Sequence, residues 1–228
     1  MNDILVQCTY FGAFLSIAAY MIGEALKKKC KVCNPLLIAI ILVILILKIF
    51  HIDYETYNDG AKYISYLLTP ATVCLAIPLY RQINILKTHF KEIIIGICTG
   101  VLASMGSVFV LSYLFALSHE HYVTLLPKSI TTAIGIGLSN EMGGVETITI
   151  AVIIVTGVLG NLIAEPVLKL FRIKNPVAKG LAIGTASHAI GTTKAMEMGE
   201  IEGAMSSLSI AVAGLITVAA ASIFANLM

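Results

Sequence analysis

Apolar residues in this chain gather into long unbroken runs, separated by short polar loops. A helix needs about 20 mainly apolar residues to cross the hydrocarbon core of a bilayer, and six runs approach or exceed that length. Ile4 to Leu26 is the first, with Glu24 near its end, and Val32 to Phe50 is the second, where Lys48 can snorkel outward. Tyr63 to Tyr80 is the third, interrupted by Pro70 and Pro78. Ile93 to Ser118 holds 26 residues without a charge, Thr147 to about Leu170 carries Glu165 and Pro166 near its end, and Gly203 to Met228 is again 26 uncharged residues. These are six predicted spans.

Two stretches break the pattern. Ser129 to Asn140 and Gly180 to Thr193 contain no Asp, Glu, Lys or Arg, yet are too short to cross as ordinary helices and are rich in Gly, Ser and Thr. Non-helical backbone is tolerated at membrane depth where it is buried in protein or lines a watery cavity. Both are therefore read as broken or re-entrant helices, placed at 127–144 and 180–199. The competing reading is a pair of short, tightly packed helices, since small residues also let helices approach closely. The whole chain is expected to form one all-α polytopic membrane domain, with 1–62 as peripheral helices and 63–228 as the core.

Composition sharpens this. Of 228 residues, 58% are hydrophobic and 12% charged, about half the charge of a soluble domain, and mean hydropathy is +0.93. A water-soluble globule is excluded on that ground. A net charge of +2 with no long basic patch argues against a nucleic-acid partner. Cys30 and Cys33 have the C-x-x-C spacing, but no second pair or His cluster accompanies them, so no metal or other cofactor is expected. Met1-Asn2-Asp3 lacks the basic region of a cleaved signal, so the first apolar run is expected to be retained.

Eleven of the fifteen basic residues fall in alternate loops: Lys27, Lys28, Lys29 and Lys31, then Arg81, Lys87 and Lys91, then Lys169, Arg172, Lys174 and Lys179. The opposite loops carry Asp53, Glu55, Asp59 and Glu120. The positive-inside rule then places both termini outside the cytoplasm.

An internal echo links the odd stretches. Glu141-Met142-Gly143-Gly144-Val145-Glu146 returns 56 residues later as Glu197-Met198-Gly199-Glu200-Ile201-Glu202, each copy following a Gly/Ser/Thr-rich stretch and preceding a long apolar run. With one firm span between them, the copies have opposite orientations, as in the inverted repeats of secondary transporters. Repeated helix-start chemistry is the rival cause.

The candidate site follows from the same stretches. Lys128 opens the first and Lys194 closes the second. An ammonium at membrane depth is costly unless paired or hydrated, so either can hold an anionic substrate, and either can pair with Glu141, Glu146 or Glu197. Ser129, Thr131, Thr132, Ser187, Thr192 and Thr193 offer hydroxyl donors, and Gly191 allows close backbone approach. His188, Glu141 and Glu197 are candidates for proton or ion coupling, against the plainer alternative of a packed, hydrogen-bonded histidine. Pro70 and Thr72 mark a possible third wall. Ser187 and His188 are adjacent and point apart on a helix, which makes a poor catalytic dyad, so no enzyme is expected.

Thr69-Pro70-Ala71-Thr72, Ala76-Ile77-Pro78-Leu79-Tyr80-Arg81-Gln82, Leu126-Pro127-Lys128-Ser129-Ile130-Thr131-Thr132 and above all Gly184-Thr185-Ala186-Ser187-His188-Ala189-Ile190-Gly191-Thr192 closely resemble the LrgB/CidB family. The resemblance covers about four-fifths of the chain and is strong from Leu67 onward. It implies one of two functions. The first is an antiholin-like or holin-like protein of the bacterial inner membrane, tied to murein hydrolase activity and autolysis. Such a protein has an LrgA/CidA-type membrane partner. The second is a carrier of small monocarboxylates such as pyruvate, glycolate or glycerate. The broken segments and the echo favour the carrier, since a holin-type pore has no use for them. A homo-oligomer is left open.

Overall fold

The computed structural model describes residues 10–29, 35–67, 70, 73, 74 and 76–228, and every element among them is helical. The chain divides into two compact units, Met1–Cys74 and Leu75–Met228. Thr72, Cys8, Cys30, Cys33, the start of the first expected span and part of the third lie outside the described residues.

The first unit contains α1 (Phe11–Lys29), α2 (Pro35–Ile49) and α3 (Tyr54–Ser65). A Cβ on Gly12 would strike the backbone of Tyr57 and Ala61, and one on Gly60 would strike that of Gly12. Side-chain-free positions thus let α1 and α3 cross in main-chain contact. The hydroxyls of Ser16 and Tyr57, 2.7 Å apart, pin that crossing. α2 is apolar almost throughout, but its 15 residues are fewer than a full crossing needs.

The second unit contains α4 (Ala76–Arg81), α5 (Ile83–Thr88), α6 (Phe90–Leu114), α7 (His119–Leu125), α8 (Thr132–Glu141), α9 (Glu146–Leu170), α10 (Pro176–Met198) and α11 (Glu200–Ala225). Three of these, α6, α9 and α11, are long and apolar enough to cross a membrane. They coincide with the fourth, fifth and sixth expected spans.

α6 shows how one sequence serves three surroundings. Ile93, Ile97, Val101, Met105 and Val108 recur every three or four residues and are buried against Tyr122, Leu126 and Met205. Ile95, Leu102 and Leu111 are exposed apolar side chains, the natural state of a surface whose solvent is lipid. Gly96, Gly100, Ala103 and Ser104 form a third stripe of small residues.

Contacts fix the directions of the helices. Gly96 meets Leu181 and Gly100 meets Thr185, while Gly180 meets Glu202 and Gly184 meets Ser206. So α6, the first half of α10 and the start of α11 run side by side in one sense. The second half of α10 runs back: Thr192 bonds Ser206 at 2.7 Å and Gly203 abuts Met196. Gly191 lies against Ile183, eight residues earlier, whereas eight residues of straight helix span about 12 Å. The reversal occurs at His188, whose φ of 43° and ψ of −140° are non-helical. Positive φ is rare and costly for a residue bearing a Cβ.

The other odd stretch also doubles back, from the opposite end. His119 bonds the Met228 carbonyl, Tyr122 the Phe224 carbonyl, and Ser129 the Ser104 hydroxyl, so α7 runs against α11 and α6. After a non-helical turn, α8 returns with Gly135 against Ile153 and Ser139 bonded to Thr149. Both reversals therefore reach the same level of α9. Gly135 touches the Ile153 side chain, and the His188 ring bonds its carbonyl.

The echoed hexapeptides occupy equivalent places, each joining a returning helix to a long one. At the first, Gly144 N–H bonds the Ser139 carbonyl and Gly143 N–H that of Asn140, with Gly143 at φ 79°. This is a Schellman cap, whose left-handed position glycine fills without a steric penalty. At the second, Gly199 is extended and the turn is tighter.

Candidate functional site

A cavity of about 870 Å³ lies within the second unit, between α6, the first half of α10 and the turn after α7. It runs from His89, Glu92 and Asn175, at the end of the bundle that carries Lys91, Arg172 and Lys174, to Ser104, Lys128, Ser129 and Thr185 midway along α6. The small stripe of α6 forms one wall, because glycine and alanine leave the volume that leucine would fill. Asn175 shapes the mouth: its side-chain oxygen accepts the N–H groups of Val177 and Ala178, capping α10, with Pro176 at the first helical position.

Lys128 stands at the inner end. It is half-buried, and its Nζ donates to Ser104 Oγ at 3.1 Å and Ser129 Oγ at 3.2 Å, those two hydroxyls being 2.9 Å apart. No carboxylate pairs with it among the described residues. Two neutral acceptors solvate an ammonium incompletely. Thr185, 6% exposed, lies on α10 in the wall facing α6, and its buried hydroxyl has no hydrogen-bond partner among the described residues.

The residues proposed from sequence divide into two groups. Lys128 and Ser129 line the cavity, with Thr131 and Thr132 just beyond them at the start of α8. Ser187 and His188 are buried at the reversal of α10 and Gly191 and Thr192 in its returning half, and Thr193 and Lys194 lie farther along it. Ser187 and Gly160 are in contact, and a Cβ on Gly157 would come within 2.7 Å of the His188 ring. His188 Nε2 lies 3.0 Å from the Ile153 carbonyl. A carbonyl only accepts, so that nitrogen carries the proton, which fixes the tautomer. Thr192 donates to the His188 carbonyl at 2.9 Å, and Asn161 donates to Ile190 O and Thr193 Oγ1, both at 2.9 Å. These bonds satisfy backbone that the kink would otherwise orphan.

Lys194 is paired with Glu165 at 2.8 Å and with Glu197 at 3.4 Å. Of the two carboxylates expected to couple a proton or ion, Glu197 is an ion-pair partner of Lys194 at one end of the bundle. Glu141 is exposed at the end of α8. Pro70 is helical and belongs to the first unit. Among the described residues, no group of His, Cys, Asp and Glu is placed to hold a metal ion.

Sequence reasoning missed Ser104, Thr185 and the α6 wall. The signal was present: Gly96, Gly100, Ala103, Ser104 and Ser107 recur at helical spacing within a helix otherwise full of Ile, Leu and Val.

The LrgB-like family matches residues 16–227. The antiholin-like protein LrgB of Bacillus cereus (strain B4264) is 40% identical to this chain over 218 residues, covering 94% of this chain and 95% of its own length. The antiholin-like protein LrgB of Bacillus anthracis (strain A0248) matches to the same extent. No solved structure matches the chain. Neither relative's name carries an enzymatic activity. With membrane-length helices, an uncompensated lysine in a polar-ended cavity and a family match through nearly its whole length, the chain belongs to the LrgB-like family.

Proposed function

We propose that this chain carries small monocarboxylates, such as pyruvate, glycolate or glycerate, across the bacterial inner membrane. The observation that carries this reading is Lys128: a half-buried ammonium held by two hydroxyls, with no acidic partner among the described residues, at the inner end of an 870 Å³ cavity. An entering carboxylate neutralises that charge and takes the donor direction left free by Ser104 and Ser129.

In this reading the two doubled-back segments are the halves of an inverted repeat within a six-span protein. The basic end of the bundle faces the cytoplasm and both termini lie outside. The cavity then opens inward, and alternating access closes it by moving one segment against the other. An LrgA/CidA-type partner assists or regulates the carrier, and an effect on autolysis follows from altered carboxylate flux.

The name of the relatives favours a second reading, a regulator or pore of the antiholin type. Uptake into vesicles containing the purified chain separates the two. A carrier takes up labelled pyruvate or glycolate with saturation and is accelerated by unlabelled substrate on the far side. A pore passes unrelated solutes of similar size without saturating, and that result would overturn the carrier reading.

A further inference from the structure

A second pocket, of about 390 Å³, lies where α9 passes into α10 and shares no lining residue with the cavity above. Lys169, Arg172, Lys174 and Lys179 stand around it, over a floor that includes Leu168, Ile173 and Met198. Leu168 is buried in the apolar cluster beneath, and Ile173 and Met198 pack on that cluster. One carboxylate, Glu165, lines the pocket, and it is already bound by Lys194 at 2.8 Å and Lys169 at 3.5 Å. Lys179 reaches Glu202 at 3.8 Å. Arg172 and Lys174 make no ion pair among the described residues, which leaves a guanidinium and an ammonium over an apolar floor.

Position decides what such a pocket meets. α9 is a 25-residue apolar helix, and the pocket lies where it ends, at the level where a crossing helix leaves the hydrocarbon and lipid phosphates begin. A soluble anion has no use for Leu168 and Met198, whereas a phospholipid presents phosphate and glycerol-ester groups together. Basic pockets between membrane helices suit that pairing.

We propose that this pocket binds the phosphate headgroup of an anionic phospholipid, with Arg172 and Lys174 on the phosphate and Leu168 and Met198 under the glycerol and upper acyl chain. This does not depend on the carrier reading. The test uses the full chain in mixed micelles of detergent and phosphatidylcholine, adding phosphatidylglycerol and following thermal unfolding and lipid retention by native mass spectrometry. The wild type should gain about 5 °C in melting temperature and retain phosphatidylglycerol over phosphatidylcholine. Arg172→Gln with Lys174→Gln should lose more than half of that gain, while Lys87→Gln with Lys91→Gln, removing equal charge elsewhere, should keep it. Arg172→Lys with Lys174→Arg, which preserves the charge, should also keep it. The proposal is overturned by an absent shift in the wild type, by equal loss in both charge-removing pairs, or by inorganic phosphate giving the full shift alone. If the Gln pair does not fold, retention by the wild type decides: no preference for phosphatidylglycerol would sink the proposal.

Discussion

The two doubled-back segments of the second unit have similar composition and opposite roles. The turn after α7 presents Lys128 and Ser129 to a cavity, where the ammonium has two hydroxyl acceptors and no carboxylate partner among the described residues. The turn within α10 presents nothing to that cavity: His188 is bonded to Ile153, Ser187 is lodged against Gly160, and Thr192 is bonded to Ser206. Small polar residues do different physical work in the two places. At the first turn they border a cavity, and at the second they let two helix halves and α9 approach closely.

Glycine substitutions break this comparison most sharply. Gly160→Val puts a branched side chain where Ser187 already sits, and should cost about 3 kcal/mol in unfolding free energy measured in detergent. Gly137, in α8 of the other segment, has open space where a Cβ would go. Gly137→Ala should therefore stabilise by about 0.5–1 kcal/mol through helix propensity. Equal effects at the two positions would remove the distinction between a packed and an open segment.

The kink offers a smaller and more specific effect. His188→Ala loses the bond to Ile153 and keeps the unfavourable φ, whereas His188→Gly loses the bond and relieves the backbone. The glycine variant should be the more stable of the two by about 1 kcal/mol, and the reverse order in thermal melts would refute the strain. At the open tip, Ser104→Ala removes one of the two acceptors of the Lys128 ammonium, and half-saturation for carboxylate uptake should rise about fivefold. Lys194→Ala should matter least. Its side chain is 23% exposed and its carboxylate partners Glu165 and Glu197 are 40% and 50% exposed, so about 1 kcal/mol of stability and no change in half-saturation are expected.

The long apolar runs made α6, α9 and α11 legible, because a span is a property of composition over 20 residues. The deviant stretches were legible for the complementary reason: too polar and too short to cross, they had to bend or pack. What composition could not say was which of them stays open. His188 illustrates the limit, since its role is set by a carbonyl 35 positions away and by glycines on α9 that make room for its ring. Thr185 was hidden similarly, one residue among several Thr and Ser, until α6 supplied the facing wall. The pairing of Lys194 with Glu197 was readable from their three-residue spacing, but the shorter contact to Glu165 belongs to tertiary structure.

The central claim is that Lys128 grips a small carboxylate, and binding of labelled pyruvate or glycolate to purified protein tests it most directly. Wild type and Lys194→Ala should bind saturably with equal affinity, Lys128→Ala should bind about 100-fold more weakly, and Lys128→Arg should recover part of the loss. Unchanged binding in a folded Lys128→Ala protein would contradict the account.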